Sequence, residues 1–353
     1  MHSFEQGFLE RHPIPHSLLR TVRAIGEYKG KETLFKQQVP QALDSLRSTA
    51  IIQSTVSSNR IEGIKAPEDR MERIAEHKTA PRNRSEQEIA GYRDVVATIH
   101  TNYANIPFTV NTVLQLHRDL YKFTAQQGGR WKLTDNVISE TRPDGTQFVR
   151  FTPTPAYLTA EAMDRLHMAF REHIERQEID QLLLIATYIL DFLCIHPFTD
   201  GNGRMARLLS LLLLYQSGYE VGRYISLERI IEDHREGYYD ALYKSSQGWH
   251  KREHSLLPWW EYFLGVVLLG AYREFEQRVG ELAWSHGAKT QMAKDALHRL
   301  PTVFRLADLA RACPGVSRPT LKRVLSEFKA SGQVRCIKSG RSATWEKIGH
   351  WTS

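Results

Sequence analysis

The sequence predicts a mainly α-helical fold with one β-hairpin and a small, basic C-terminal helix-turn-helix domain. Three observations predict it. Apolar residues recur at three- and four-residue spacing along most of the 353 residues. The stretch GRWKLTDNVISETRPDGTQFVRFTPTP (129–155) instead places β-branched and aromatic residues on either side of Pro143-Asp144-Gly145, a hairpin pattern. The formal net charge of +7 is concentrated at one end, because residues 301–353 carry ten Lys and Arg against three Asp and Glu. The rest of the chain is therefore balanced, and the basic excess says nothing about what the main body binds.

Taken in order, residues 1–48 read as short helices with breaks near Pro13, Pro15 and Pro40. A helical pattern runs over 43–62 and stops at Gly63, which accepts the left-handed conformation at a helix end. Residues 85–105 and 109–124 read as amphipathic helices. Pro153 and Pro155 end the hairpin, and helix resumes over 156–176 and 180–195. HPFTDGNG (196–203) is a loop, and helical patterns follow at 204–217, 226–247 and 255–285. In the tail, LADLARAC (306–313), a turn at Pro314-Gly315 and SRPTLKRVLSEFKASG (317–332) punctuate a helix-turn-helix. Ser317 is placed as its N-cap and Pro319 in its first turn. QVRCIKSGRSATWEKI (333–348) reads as strand, Gly turn, strand, which completes a winged-helix pattern. Three regions result: an N-terminal helical segment (1–48), a core (49–275) and a winged-helix domain (290–353).

Composition excludes several classes. Hydrophobic residues at 41% and charged residues at 25% are those of a folded globular chain rather than a disordered one. Gly and Pro make up about a tenth of it, too little for a collagen-like or low-complexity chain, and no fixed-period repeat marks a solenoid. The opening residues MHSFEQGFLERHPIPHSLLR lack the apolar run of a secretory signal. The most apolar stretches, 208–215 and 256–272, are respectively short and interrupted by Pro258 and Glu261, so both read as buried helices rather than membrane spans. Cys194, Cys313 and Cys336 are odd in number and widely spaced, which gives neither a disulfide framework nor a zinc site and points to a reducing cytoplasm.

HPFTDGNGRMAR (196–207) carries the chemistry. Asp200-Gly201-Asn202-Gly203 cannot continue a helix, and its two glycines let backbone N–H groups come close to an anion. The amphipathic helix that begins immediately afterwards offers free N–H groups and a partial positive charge. Arg204 and Arg207, three apart, project from neighbouring positions of that helix. Asp200 is a hard oxygen ligand suited to Mg²⁺ on phosphate oxygens. His196 ends the preceding apolar helix as a proton acceptor for a hydroxyl nucleophile. Each piece alone is more often a turn, a loop tip or a solvated face. The combination suits phosphoryl or nucleotidyl transfer.

The stretch resembles, at every defining position, the signature HPFx(D/E)GNGRxxR of the Fic (filamentation induced by cAMP) family, and the resemblance extends over roughly residues 49–275. It implies a mainly helical Fic-type core with a β-hairpin flap. It also implies transfer of AMP from ATP, with Mg²⁺, to a Ser, Thr or Tyr hydroxyl of a target protein. In that family's terms His196 is the general base, Phe198 anchors the loop and Asp200 holds the metal. Gly201, Asn202 and Gly203 form the anion hole, Arg204 binds the α/β-phosphates and Arg207 the γ-phosphate, with Met205 and Ala206 between them at the nucleotide. Val149, Arg150, Phe151 and Thr152 correspond to the flap that holds a target segment by strand addition. Tyr238 and Tyr239 fall where relatives contact adenine, and read equally as aromatic packing. Ser246 stands where some relatives carry Asn.

SSNRIEGI (57–64) resembles the family's inhibitory motif (S/T)xxxE(G/N) through Ser58, Glu62 and Gly63, placing the inhibitory helix at 50–62. Ser58 and Glu62 share a helix face, and the family implies that Glu62 pairs with Arg207 and blocks the γ-phosphate position. The alternatives are another chemistry of the family, phosphotransfer or removal of AMP, which goes with altered motifs, and a DNA-binding transcriptional regulator that uses the basic winged helix and whose Fic core senses a ligand or is vestigial. The oligomeric state is open, a homodimer being common in the family. In the tail, Arg318, Lys322, Arg323 and Lys329 on the second helix, with Lys338 and Arg341 flanking the wing turn, make duplex DNA a partner for residues 301–353, and the same module fits a protein partner equally well.

Overall fold

A computed structural model describes every residue except 1, 39, 142–144, 285–287, 315, 339–342 and 349–353. Pro143 and Asp144 of the hairpin turn, Gly315 of the Pro-Gly turn and Arg341 beside the wing turn thus lie outside the described residues. The chain forms two compact units, Met1–Lys29 with Leu46–Tyr272, and Gly30–Ser45 with Arg273–Ser353.

A 3-10 turn (His2–Phe4) opens the chain, followed by α1 (His16–Gln38), α2 (Pro40–Ile61), α3 (Glu68–Ala75), α4 (Arg84–Asn102) and α5 (Val110–Leu120). The hairpin β1 (Ile138–Thr141) and β2 (Gln147–Phe151) comes next. Then come α6 (Thr159–Arg176), α7 (Gln181–Ile195), α8 (Asn202–Gln216), α9 (Leu227–Asp233), α10 (Arg235–Ser246), α11 (Leu257–Trp260), a π-helical stretch (Glu261–Leu268) and α12 (Leu269–Trp284). The short helices expected over 1–48 give way to one helix of 23 residues, α1. Pro13 and Pro15 precede α1 and Pro40 opens α2, positions where a missing N–H interrupts nothing. The pattern at 226–247 resolves into two helices separated at His234, and the one at 255–285 into α11, the π stretch and α12. Side-chain caps start the helices where the sequence has the residues for it: Asn83 accepts from the Glu86 N–H, Thr109 from Thr112, Asp180 from Leu182 and Ser226 from Arg229.

Helix α7 is the axis of the first unit. Every residue from Leu182 to Ile195 is buried, so it is apolar on all sides. Three tryptophans fasten it through their indole N–H groups: Trp249 to the Asp191 carboxylate (2.6 Å), Trp259 to the Ala186 carbonyl (2.7 Å) and Trp260 to the Thr187 hydroxyl (3.0 Å). Helices α6 and α8 pack on α7. The hairpin is antiparallel, with Ile138 opposite Phe151 and Glu140 opposite Phe148, and a register shift between Ile138 and Ser139.

The second unit includes α13 (Ala288–Arg299), β3 (Val303–Arg305), α14 (Leu306–Ala312), α15 (Arg318–Ala330), β4 (Val334–Lys338) and β5 (Thr344–Lys347). Its three strands form an antiparallel sheet in the order β3-β5-β4. Met292, Leu297, Phe304, Leu309, Leu321, Val324, Leu325, Phe328 and Val334 close its core. Helix α13 and strand β3 carry no sequence signal strong enough to have been expected. β3 has three residues, below the length at which alternation is readable. Among the described residues no helix is long and apolar enough to cross a membrane.

Candidate active site

The site is built where α7 ends and α8 begins. His196 follows α7 in the left-handed region (φ 51°, ψ 61°), a costly conformation for a residue with a Cβ. Its N–H donates to the Phe192 carbonyl (2.9 Å) and its Nδ1 lies 3.3 Å from the Leu193 carbonyl. A proton on Nδ1 satisfies that carbonyl and leaves Nε2 as the acceptor. Burial pushes the His196 pKa down to about 4; the Leu193 carbonyl opposes the shift, the Lys132 cation adds to it, and Glu62 and Asp200 pull it back. The imidazole is therefore neutral near pH 7.

Phe198 is fully buried and lies flat against His117, ring centroids 3.6 Å apart. The Asn202 amide closes the loop, accepting from the Phe198 N–H (2.9 Å) and donating to the Phe198 carbonyl (2.7 Å). Asp200 accepts from the Gly201 N–H (2.7 Å), and its backbone carbonyl accepts from His117 Nε2 (3.1 Å). Within α8 the first N–H to reach a helical acceptor belongs to Met205, bonded to the Gly201 carbonyl (2.9 Å). The N–H groups of Asn202, Gly203 and Arg204 precede it and have no intrahelical acceptor, as at any helix start.

The two arginines of α8 part ways. Arg204 is 1% exposed, donates to Glu88 (2.7 Å) and to the Tyr121 hydroxyl (2.8 Å), and has Asp200 3.7 Å away. Arg207 donates from Nε to the Ser58 hydroxyl (2.8 Å), and from Nη2 to the Ser58 carbonyl (2.9 Å) and to Glu62 Oε1 (2.7 Å). Burial alone would lower the Arg207 pKa, and the Glu62 carboxylate more than offsets it, so the guanidinium stays charged. Among the described residues, Nη1 of Arg207 is buried with no hydrogen-bond partner.

Glu62 reaches that position because α2 stops at Ile61. Gly63, at φ 76°, donates to the Arg60 carbonyl (2.9 Å), and Ile64 donates to the Asn59 carbonyl (3.0 Å). Those two bonds form a Schellman motif, whose left-handed residue favours glycine. The Ile61 carbonyl, left over at the helix end, accepts from Arg235 (3.1 Å) and Tyr239 (3.5 Å). The Glu62 carboxylate lies directly against Gly203, where any Cβ would run into it. The carboxylate thus occupies the start of α8, the place where helix N–H groups receive an anion.

Beside it opens a cavity of about 430 Å³ lined by Glu62, His196 and Gly203, by Arg150 and Phe151 of the hairpin, and by Tyr238, Tyr239 and Ser246 of α10, among others. Of the residues singled out from sequence, these share the cavity. Arg207 touches it through Glu62. Arg204 and Asp200 stand outside its lining, Met205 and Ala206 are buried in the core, and Val149 is exposed on the hairpin. Arg150 pairs with Glu140 and donates to the Tyr239 carbonyl (3.2 Å), Phe151 stacks on His250, and the Thr152 carbonyl lies 2.8 Å from His250 Nε2. Tyr238 is buried against Tyr239, Trp259 and Tyr262. Glu88, Tyr121, His117, Lys132, Asn136 and Arg235 belong to the site as well, and sequence reasoning missed them. The contacts that bring them to the site span 62 to 174 residues of sequence, and no local spacing signals those.

Among the described residues no three His, Cys, Asp or Glu side chains gather into a metal-holding group. Asp200 is a single, half-exposed carboxylate next to the helix start. One carboxylate suffices for Mg²⁺ when substrate phosphates and water complete its shell, so the donor set fits that ion.

A left-handed histidine, a loop anchored by the buried Phe198 and a helix start with two arginines make up the candidate site. Residues 107–214 match the family model described as Fic/DOC family. Those residues form a Fic/DOC family domain, and the chain has the mainly helical Fic fold and is similar over part of its length to the protein adenylyltransferases named Fic. It is 31% identical over 113 residues to the protein adenylyltransferase fic-1 of Caenorhabditis elegans, a match covering 31% of this chain and 20% of that one. It is 26% identical over 179 residues to the protein adenylyltransferase Fic of Nematostella vectensis, covering 48% and 39%. The chain thus matches between a fifth and two fifths of the length of these curated relatives. A Fic family protein from Desulfovibrio desulfuricans shares the fold with a TM-score of 0.61 at 21% identity, covering 97% of this chain and 99% of that one.

Proposed function

We propose that this protein transfers AMP from ATP to a Ser, Thr or Tyr hydroxyl of a target protein and is held inactive by Glu62. The observation that carries the reading is the Glu62 carboxylate seated on Gly203 and bonded to Arg207, at a helix start built to receive phosphate. The orphaned Arg207 Nη1 beside it is a donor ready for a second oxygen. Glu62 and the terminal phosphate compete for one guanidinium.

With Glu62 withdrawn, Arg207 and the first N–H groups of α8 bind the phosphates, and the cavity beside Tyr239 and Ser246 receives the nucleoside. Neutral His196 accepts the target hydroxyl proton at Nε2. The hydroxyl oxygen then bonds to the α-phosphorus, the bond from that phosphorus to the bridging oxygen breaks, and pyrophosphate leaves with the electron pair. Asp200 would hold Mg²⁺, which when bound neutralises charge on the phosphate oxygens. The chain's own contribution is positioning and charge stabilisation.

The test is labelling of protein by α-labelled ATP. Glu62→Gly raises incorporation and His196→Ala abolishes it in the Glu62→Gly background. Equal labelling by parent and Glu62→Gly would remove the inhibitory role, and labelling that survives His196→Ala would remove the base.

A second reading concerns the C-terminal unit, and the surface of α15 favours it. Arg318, Lys322 and Lys329 are exposed and share one face of the helix, while Leu321, Val324, Leu325 and Phe328 occupy the other. Lys338 is exposed at the end of β4. Arg311 and Arg335, by contrast, are paired with Asp308 and Glu346. Four cations aimed at solvent fit the phosphates of a duplex. Binding of the full chain to a DNA duplex should then weaken with salt at a log–log slope of about −3 to −4. Arg318→Ala with Lys322→Ala should flatten that slope by about two. No binding at low salt would leave this face to a protein partner.

A further inference from the structure

We infer that Lys132 is a positioning residue for His196, and that the two feet of the hairpin form a clamp that fixes the direction of the imidazole. The inference rests on the adenylyl-transfer reading for its kinetic test and on geometry for its argument.

A helix end leaves its last carbonyls without partners, and α7 ends one residue before His196. Every carbonyl from Phe192 to Ile195 nevertheless has a donor. Phe192 and Leu193 are taken by His196 itself, through its N–H and its Nδ1. The Cys194 carbonyl accepts from the Thr154 N–H (3.4 Å) and the Ile195 carbonyl from Lys132 Nζ (3.1 Å). Past the histidine, the Pro197 carbonyl accepts from the Lys132 N–H (2.9 Å) and the Phe198 carbonyl from Asn136 Nδ2 (3.2 Å). Lys132 and Asn136 precede β1 and Thr154 follows β2, so the donors come from the two feet of the hairpin. The feet are tied to each other, since Asp135 accepts from the Ala156 N–H (2.7 Å).

Lys132 holds both sides of the histidine, one carbonyl through its side chain and one through its backbone. Lys132 is buried, and its ammonium makes no ion pair among the described residues; it donates only to the Ile195 carbonyl and to the Asn136 side chain (2.8 Å). Burial pushes the Lys132 pKa down to about 8 although the Asp135 carboxylate opposes the shift, and burying a cation whose hydrogen-bond acceptors are neutral oxygens is expensive and calls for a return. A left-handed residue with a Cβ costs about 1–3 kcal/mol and persists only where its surroundings over-determine it. Fixing the peptide planes on both sides of His196 does that, and it aims Nε2 into the cavity that His196 lines.

The experiment uses full-length protein carrying Glu62→Gly. Adding Lys132→Met should lower kcat about 10- to 100-fold, the cost of a misplaced catalytic group, with KM for ATP unchanged. Lys132→Arg should recover most of kcat, because a guanidinium can reach the Ile195 carbonyl. An unchanged kcat, or a parallel loss in kcat and ATP affinity, would overturn the assignment. If Lys132→Met does not fold, Asn136→Ala removes the third tether and the partner of Lys132, with the same split expected at smaller size. Nitrogen NMR of the His196 ring needs no turnover: parent protein shows the proton on Nδ1, and Lys132→Met mixes the two tautomers. If Glu62→Gly does not label, adenylyl transfer fails while the tautomer still judges the clamp, and an unaltered tautomer in Lys132→Met would end it.

Discussion

Two sides of one helix turn meet different neighbours. On the side of α4 and α5, Arg204 is enclosed by Glu88 and Tyr121 and is 1% exposed. On the side of α2, Arg207 is equally buried, but its carboxylate partner Glu62 keeps 30% of its side chain in solvent. Both are arginine–carboxylate pairs with the same 2.7 Å separation. A pair sealed on both members behaves as part of the core. A pair with one member at the surface can open without exposing the other to an empty interior, provided another anion takes its place. The fixed arginine shapes the site, and the contested one is where the proposed inhibition by Glu62 would act.

Breaking the fixed pair should have the largest effect. Glu88→Ala leaves a buried guanidinium short of its counter-charge and should cost about 3–5 kcal/mol of stability, read from the urea midpoint. A shift no larger than that of a surface substitution would show that Arg204 finds other partners. Breaking the contested pair should act on binding instead. Glu62→Gln keeps an acceptor oxygen and removes the charge, so stability should fall by under about 1 kcal/mol while ATP affinity, measured by calorimetry, rises roughly 5- to 30-fold. Unaltered affinity would mean that the two pairs do not differ in kind.

The smallest effect expected is that of pH. Both arginines remain charged throughout, so below pH 7 His196 should set the response, facing Lys132 from the hairpin foot, Asp200 from its own loop and Glu62 from α2, while burial holds the Lys132 pKa down to about 8 and its proton is lost only above that range. With burial holding the imidazole pKa near about 4, labelling by Glu62→Gly should be flat from pH 6 to 7 and fall only as the pH drops through the region where the imidazole gains its proton. A decline already under way between pH 7 and 6 would show that the ring is more solvated than its place implies.

The local parts of this site were legible in the sequence. Two glycines around Asn202 placed the start of α8 to within two residues, Gly63 marked where α2 stops, and the β-branched and aromatic residues on either side of residues 143–145 located the strands. Each is a short-range rule about backbone conformation. The Glu62–Arg207 contact, 145 residues apart in sequence, was reachable only because a family resemblance supplied the pairing. The contacts with Glu88, Tyr121, Lys132 and Thr154 had no such help. A lone Lys in GRWK or a Glu in the first turns of an amphipathic helix reads as surface, since nothing nearby announces the carbonyl or guanidinium that burial will bring to it. The long α1 differs from the short helices its sequence suggests for another reason: its flanking prolines read as interruptions but stand outside its ends.

The Schellman bonds at Gly63 set how little must happen for release. Glu62 is the residue after the last helical one, so retracting it takes only the fraying of a terminal turn, with the loss of the Ile61 tethers to Arg235 and Tyr239. If the proposed inhibition holds, a pull on a few residues of backbone at that helix end would be enough to relieve it.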